Sequence, residues 1–269
     1  GLVLAIRELA AGPVQLGALF PALHGLGLLP KPRFDRAHEG VRRIARLMLP
    51  GIFGSSVAQV SLLLDTIIAS FLMVGSVTWM YAADRLVEFP MGVFAIALAT
   101  VILPGLSSHH AAESREKFTA TLDWALRLTI TIVAPAAVGL LMLAGPLIAT
   151  IFGYGAFSAR DVLMCSYALM AYSMGLIGFS LVKVLAPGYF ARQDTKTPVK
   201  VGIIALSINM TFNVAVVVPA YLSGFPVPHA LLALSTGLSA LINATLLYRG
   251  LRRQGVYVPS DKWRRLLPQ

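Results

Sequence analysis

The chain has 269 residues, of which 57% are hydrophobic and 13% charged, with a mean hydropathy of +0.76 and a formal net charge of +10. Soluble domains average about 45–50% apolar and about 25% charged residues, so this composition excludes an ordinary soluble domain and points to a membrane protein. The single cysteine, Cys165, excludes an internal disulfide and offers no metal-ligand spacing.

A membrane-crossing helix needs about 20 mostly apolar residues. In chain order seven stretches meet that length: Leu9 to Leu29, Ile44 to Val74, Met80 to Leu106, Trp124 to Phe152, Val162 to Ala186, Val199 to Leu222 and Ala230 to Leu251. The chain opens on Gly1 rather than Met, and Gly1 to Leu29 is span-like without a basic leader or a small-residue cleavage site. It therefore reads as an internal piece of something longer, without a signal peptide. Pro90, Gly92, Pro104 and Pro135 fall inside spans, which predicts kinked helices whose neighbours satisfy the freed backbone groups. No low-complexity tract or short repeat interrupts the pattern.

The connections alternate in charge. Lys31 to Arg46 holds six basic residues, Gly75 to Trp79 none, Ser107 to Arg127 three, Gly153 to Asp161 one, Pro187 to Lys200 three, Ser223 to His229 none, and the tail from Arg249 six. Basic connections stay in the cytoplasm, so the excess positive charge is a topology signal rather than a nucleic-acid footprint. The first span then runs inward and the tail is cytoplasmic. Lys31 to Met48 has basic residues at helical spacing, which predicts a surface-lying amphipathic helix drawn to anionic lipid.

Asp65 stands in the middle of a span, in VSLLLDTIIASFL. An acid at that depth costs about 2.5–3.5 kcal/mol on insertion scales and so faces a partner or a watery cavity. Asn209 and Asn213 are four residues apart, on one helical face, and Thr236 is a third polar candidate. Together they offer the all-oxygen surroundings that a hard monovalent cation accepts. Interhelical hydrogen bonding with a protonated Asp65 is the competing reading.

Asp84, Arg85 and Glu88 form a second group, with Asp84 and Glu88 spaced i, i+4. Two readings stand side by side: a self-paired interfacial cluster, or an Arg85 turned into a central cavity where its planar fork holds a phosphate or pyrophosphate. Lys183 reads as a snorkelling interfacial residue. His109 and His110 have no third ligand at metal spacing, and no Gly-x-Ser-x-Gly elbow, His-Glu-x-x-His helix or Walker loop appears, which argues against an enzyme.

Two stretches are distinctive: YAADRLVEFPMGVFAIALATVILPGLS, Tyr81 to Ser107, and GLIGFSLVKVLAPGYFARQDTKTPVKVG, Gly175 to Gly202. They resemble the lipid II flippases of the MurJ (MviN) family, within the superfamily of multidrug and lipid-linked oligosaccharide exporters. The resemblance implies an all-α polytopic bundle matching helices six to twelve of a fourteen-helix, two-lobe flippase in the bacterial inner membrane. Residues 1–29 would be the last helix of the N-lobe, 30–47 a basic cytoplasmic linker, 48–251 a six-helix C-lobe and 252–269 a basic tail. The rest of the N-lobe and the last two helices of the parent protein would be its partners. By the same resemblance Arg85 matches a cavity arginine that meets the substrate headgroup, flanked by Asp84 and Glu88. Asp65, Asn209, Asn213, Thr236 and the carbonyl of Leu232 match a sodium site found in some members. Here Asn213 stands where such members carry a second acid.

The expected function is alternating-access flipping of the undecaprenyl-pyrophosphate-linked peptidoglycan precursor from inner to outer leaflet. It calls for no covalent chemistry and no cofactor other than sodium. Rivals are a flippase for another lipid-linked sugar, a cation-coupled drug antiporter, and a non-transporting membrane module.

Overall fold

The computed structural model describes residues 59–259, residues 56 and 57, and the helical positions 13–14, 17–18, 20–21 and 23–25. The chain divides into two compact units, residues 1–45 and 46–269. In the first, the described positions are helical and fall within the expected span Leu9 to Leu29. The expected linker at 30–47, with its amphipathic helix, lies outside the described residues.

The second unit is helical, with no strand among the described residues. Its helices are α1 (Gln59–Phe71), α2 (Ser76–Ala111), α3 (Arg115–Met142), α4 (Ala144–Phe152), α5 (Ala159–Phe190), α6 (Lys196–Leu222) and α7 (Pro228–Arg253). Five of them, α2, α3, α5, α6 and α7, are long and apolar enough to cross a membrane. Large apolar side chains such as Leu63, Phe71, Phe89, Val101 and Met142 point outward, as a lipid-facing surface requires.

The single span expected over Trp124 to Phe152 is two helices, because the chain breaks at Leu143 between α3 and α4. Pro146 lacks the N–H that would bond back to Met142, so it is tolerated in the first turn of a new helix and not in the continuation of the old one. Elsewhere the described helices carry two wide π-turns, the first at the expected kink of Pro90 and Gly92 and the second at a place where none was expected, while Pro104 and Pro135 lie in unbroken α-helix. One, Met91–Ile96, follows directly on Pro90; the other, Asn213–Val217, precedes Pro219.

At the weakly charged end of the bundle the turn from α1 to α2 needs Gly75, whose φ is +100° and whose Cβ would strike the Trp79 ring at 2.6 Å. Trp79 Nε1 in turn donates to Asp161 Oδ1 at 2.8 Å. Asp161 also accepts from the backbone N–H of Ser158 at 2.8 Å and completes a capping box at the start of α5.

Helix α5 is the most buried of the long helices and lies against α7 along a seam of small residues. A Cβ built on Gly175 would lie 2.3 Å from Gly237 Cα, so the two backbones touch. Two apolar cores flank this seam. The outer one gathers Trp79, Val133, Ile148, Leu169, Leu176 and Leu232; the inner one gathers Leu106, Phe118, Leu122, Leu185, Tyr189 and Leu251.

The inner core also takes in the start of the expected tail. Arg252 and Arg253 form the last turn of α7, and Tyr257 is buried with its hydroxyl donating to Asp123 Oδ1 at 2.7 Å. Asp123 accepts from Arg127 Nε at 3.0 Å as well, so a carboxylate buried in α3 is neutralised on its own helix.

Candidate functional site

A cavity of about 610 Å³ opens among α1, α2, α5, α6 and α7, and its polar lining includes Asp65, Asp84, Lys183, Asn209 and Thr236. Asp65 sits on its wall, 6% exposed. Helix periodicity places Asn209 and Asn213 on the inward face of α6, and the wide turn that begins at Asn213 adjusts that face just where the second amide is needed. Close contact at Gly175 and Gly237 holds α7 so that Leu232, Ser235 and Thr236 meet the same point.

Three helices thus converge on one carboxylate. Asn213 Nδ2 donates to Asp65 Oδ1 at 3.0 Å, and Asn209 Nδ2 and Thr236 Oγ1 each donate to Asp65 Oδ2 at 3.2 Å. Thr236 Oγ1 also lies 3.1 Å from the carbonyl of Leu232. All five residues expected from the sequence as an oxygen cluster are therefore brought together.

Ser235 was not expected there. Its hydroxyl lies 2.8 Å from Asn209 Oδ1, 2.5 Å from Asn213 Oδ1 and 2.8 Å from the carbonyl of Leu232. A hydroxyl has one proton to give, so two of these three close oxygen pairs have no hydrogen between them. Among the described residues no basic side chain pairs with Asp65 either. The pocket is therefore rich in oxygen lone pairs and short of protons and positive charge. Turning either amide about its last torsion exchanges Nδ2 for Oδ1 toward Asp65, and the two orientations have nearly the same shape. A carboxylate, two amide oxygens, two hydroxyls and a backbone carbonyl are the hard donors that an alkali cation takes, so these residues fit sodium. Ser235 was legible only as the neighbour of Thr236, three residues after Leu232.

The second expected group divides. Asp84 lines the cavity. Arg85 does not: its Nη1 pairs with Glu88 Oε2 at 2.6 Å, its guanidinium lies 4.6 Å from the centre of the Tyr81 ring, and both charged side chains are about half exposed. Lys183, read from the sequence as a snorkelling residue, lines the cavity.

A multi-helix membrane bundle with a cavity whose largely apolar wall carries an oxygen-rich cluster near the middle of its helices is the architecture of one lobe of a membrane transporter. The comparisons specify the kind. The family model described as "Lipid II flippase MurJ" matches residues 1–269, and the chain belongs to that family. It is 47% identical over 267 residues to the probable lipid II flippase MurJ of Haemophilus influenzae, covering 97% of this chain and 51% of that protein. It is 42% identical over 270 residues to the lipid II flippase MurJ of Burkholderia cenocepacia, covering 99% of this chain and 51% of that one. A solved lipid II flippase MurJ in an inward closed conformation superposes with a TM-score of 0.68 at 25% identity, over 87% of this chain and 47% of the other. A multidrug transporter of the MATE family in an outward-facing conformation gives 0.68 at 16% identity over 84% of this chain, which shows a shared fold.

The chain spans about half the length of the curated relatives it matches. It is a multi-pass protein of the bacterial inner membrane, in a family of transporters rather than enzymes.

Proposed function

We propose that this chain forms the cation-binding lobe of a lipid II flippase, and that the whole protein carries the undecaprenyl-pyrophosphate-linked peptidoglycan precursor from the inner to the outer leaflet. The observation that carries the proposal is the convergence of Asp65, Asn209, Asn213 and Thr236 beside a cavity, in a chain of this family.

The physical demand is one-sided. The isoprenoid tail of the precursor can stay in lipid, whereas its charged, sugar-bearing head cannot cross hydrocarbon unaided. A polar cavity between two lobes meets that demand, and rocking of the lobes exposes it to each leaflet in turn. Lipid II, the surrounding membrane lipids and the remainder of the protein are then the partners of this chain.

In this reading Arg85 meets the diphosphate, with Asp84 and Glu88 as its acidic neighbours. Its present pairing supports the assignment, since a half-exposed ion pair contributes only about 0–1 kcal/mol and is readily exchanged for phosphate oxygens. The guanidinium plane, steadied on Tyr81, presents the fork that a diphosphate binds bidentately. Asp65, Asn209, Asn213, Ser235, Thr236 and the Leu232 carbonyl would hold sodium. That ion would supply the missing positive charge beside Asp65, while the residues orient the oxygens and tie α1, α6 and α7 together.

The test is the accessibility of lipid II in the outer leaflet of cells depleted of their native flippase and complemented by the full-length protein. Wild type restores labelling, and Arg85→Ala reduces it at least tenfold. Equal labelling in both strains would remove Arg85 from the mechanism.

A further inference from the structure

At the opposite end of the bundle from Trp79 lies a second recess, of about 300 Å³, where α2 and α5 end, α3 begins and the chain leaves α7. It shares no lining residue with the cavity at Asp65. The connections here are the basic ones, which the positive-inside rule places in the cytoplasm.

Two arginines from different elements are anchored side by side in it. Arg115, the first residue of α3, donates from Nη2 to the carbonyl of Gly255. Arg192, just past the end of α5, donates from Nη1 to Oε1 of Gln254 at 2.6 Å. Both anchors are neutral acceptors on consecutive residues, so they fix the guanidinium groups without neutralising them. His109 and His110 line the same recess from the last turn of α2, and Glu113 is its one acidic lining residue. Among the described residues the ion pairs are Arg85–Glu88 and Arg127–Asp123, so neither Arg115 nor Arg192 has a carboxylate oxygen within 4.0 Å.

Two fixed guanidinium groups facing one recess repel each other unless an anion lies between them. Each uses one of its N–H groups on its anchor and keeps the others for a ligand, in the planar fork that matches tetrahedral oxyanions. Basic recesses between helices on the cytoplasmic side of a membrane protein suit phosphorylated headgroups. We propose that this recess is a phosphate-binding site, in which Arg115 and Arg192 clamp a phosphoryl group and His109 and His110 close over it. The phosphoryl group comes either from an anionic lipid headgroup or from free phosphate.

The test is thermal unfolding of the full-length protein in a zwitterionic detergent. One arm compares sodium phosphate with sodium chloride at matched sodium and ionic strength. The other compares short-chain phosphatidylglycerol with short-chain phosphatidylcholine. Stabilisation by phosphatidylglycerol alone assigns the site to a lipid headgroup, and stabilisation by inorganic phosphate assigns it to the free anion. Either result supports the proposal when Arg115→Gln with Arg192→Gln weakens the apparent affinity at least tenfold. No stabilisation in either arm, or the same affinity in the double variant, overturns it. If the double variant does not fold, His109→Ala with His110→Ala replaces it. That pair lies at an exposed helix end and is expected to weaken binding about threefold; unchanged affinity there overturns the proposal equally.

Discussion

Asn213 and Asp65 stand 148 residues apart in the chain and are joined at 3.0 Å across α6 and α1, in the middle of the bundle. The pairing is between a carboxylate and neutral donors, so Asp65 keeps an uncompensated charge when ionised. A sodium ion bound there stabilises the fold by mass action, about 2.7 kcal/mol at one hundred times its dissociation constant. The expected result is a melting temperature for the full-length protein that rises with sodium chloride and does not rise with choline chloride. Asp65→Asn keeps the shape but removes the charge and turns one of the two accepting oxygens into a donor, and the sodium response should vanish. A variant that responds like wild type would locate the cation elsewhere.

Ser235 gives that prediction a finer companion. Its hydroxyl touches both amides and the Leu232 carbonyl, so Ser235→Ala removes one oxygen and frees both amides to turn. Sodium affinity should fall about three- to tenfold while the protein stays folded. Equal affinities would show that Ser235 only packs.

The seam between α5 and α7 makes a sharp contrast among glycines. Gly175→Ala places a Cβ 2.3 Å from Gly237 Cα, where only backbone can yield, and overpacking of that kind costs about 1–3 kcal/mol. Gly139 in α3 has nothing within 4 Å of the same atom, and Gly139→Ala should be neutral or stabilising by up to about 1 kcal/mol. Thermal unfolding of the two variants in detergent checks the pair. Equal losses would mean that the helices do not touch at Gly175.

These elements differ in how far the sequence announces them. Apolar length and alternating basic connections are properties of single segments, so α2, α5, α6 and α7 were legible, as was the candidate site on Asp65, because a carboxylate in hydrocarbon demands partners. The break at Leu143 was not, since Gly145 and Pro146 sit in a run whose hydropathy never falls. The wide turns at Met91 and Asn213 have no sequence mark beyond a nearby proline. Tyr257 could not be read as buried, because its partner Asp123 is 134 residues away and the intervening composition says only that the tail is basic. Arg85 shows the limit from the other side: its spacing to Glu88 allowed a self-paired cluster or a cavity arginine, and the structure of this chain displays the pair.

Asp123 and Tyr257 carry a prediction of their own. Asp123 is 2% exposed and holds Arg127 and the Tyr257 hydroxyl, so Asp123→Ala leaves a half-buried guanidinium without its partner. The expected loss is about 3–5 kcal/mol, against about 1.5–3 kcal/mol for Tyr257→Phe. In the double variant the losses should fall short of additive, since both remove the same hydrogen bond. Strict additivity in a double-mutant cycle would mean that the two side chains act independently.

At the other end of the bundle, Cys165 is a built-in reporter. It is fully buried, with its thiol donating to the Trp79 carbonyl at 3.2 Å, while the Trp79 indole donates to Asp161 and lies 5.0 Å from the His229 ring, tilted 54° to it. Trp79 thereby fastens the start of α2 to the starts of α5 and α7. Trp79→Phe keeps the ring and loses the N–H; Trp79→Ala loses both and opens a cavity beside the thiol. Alkylation of Cys165 by N-ethylmaleimide should be slow in wild type, several-fold faster in Trp79→Phe and at least tenfold faster again in Trp79→Ala, because reaction needs local opening of that end. The graded order separates the hydrogen bond from the packing of the ring. If all three proteins react at the same rate, Trp79 does not hold the three helix ends together.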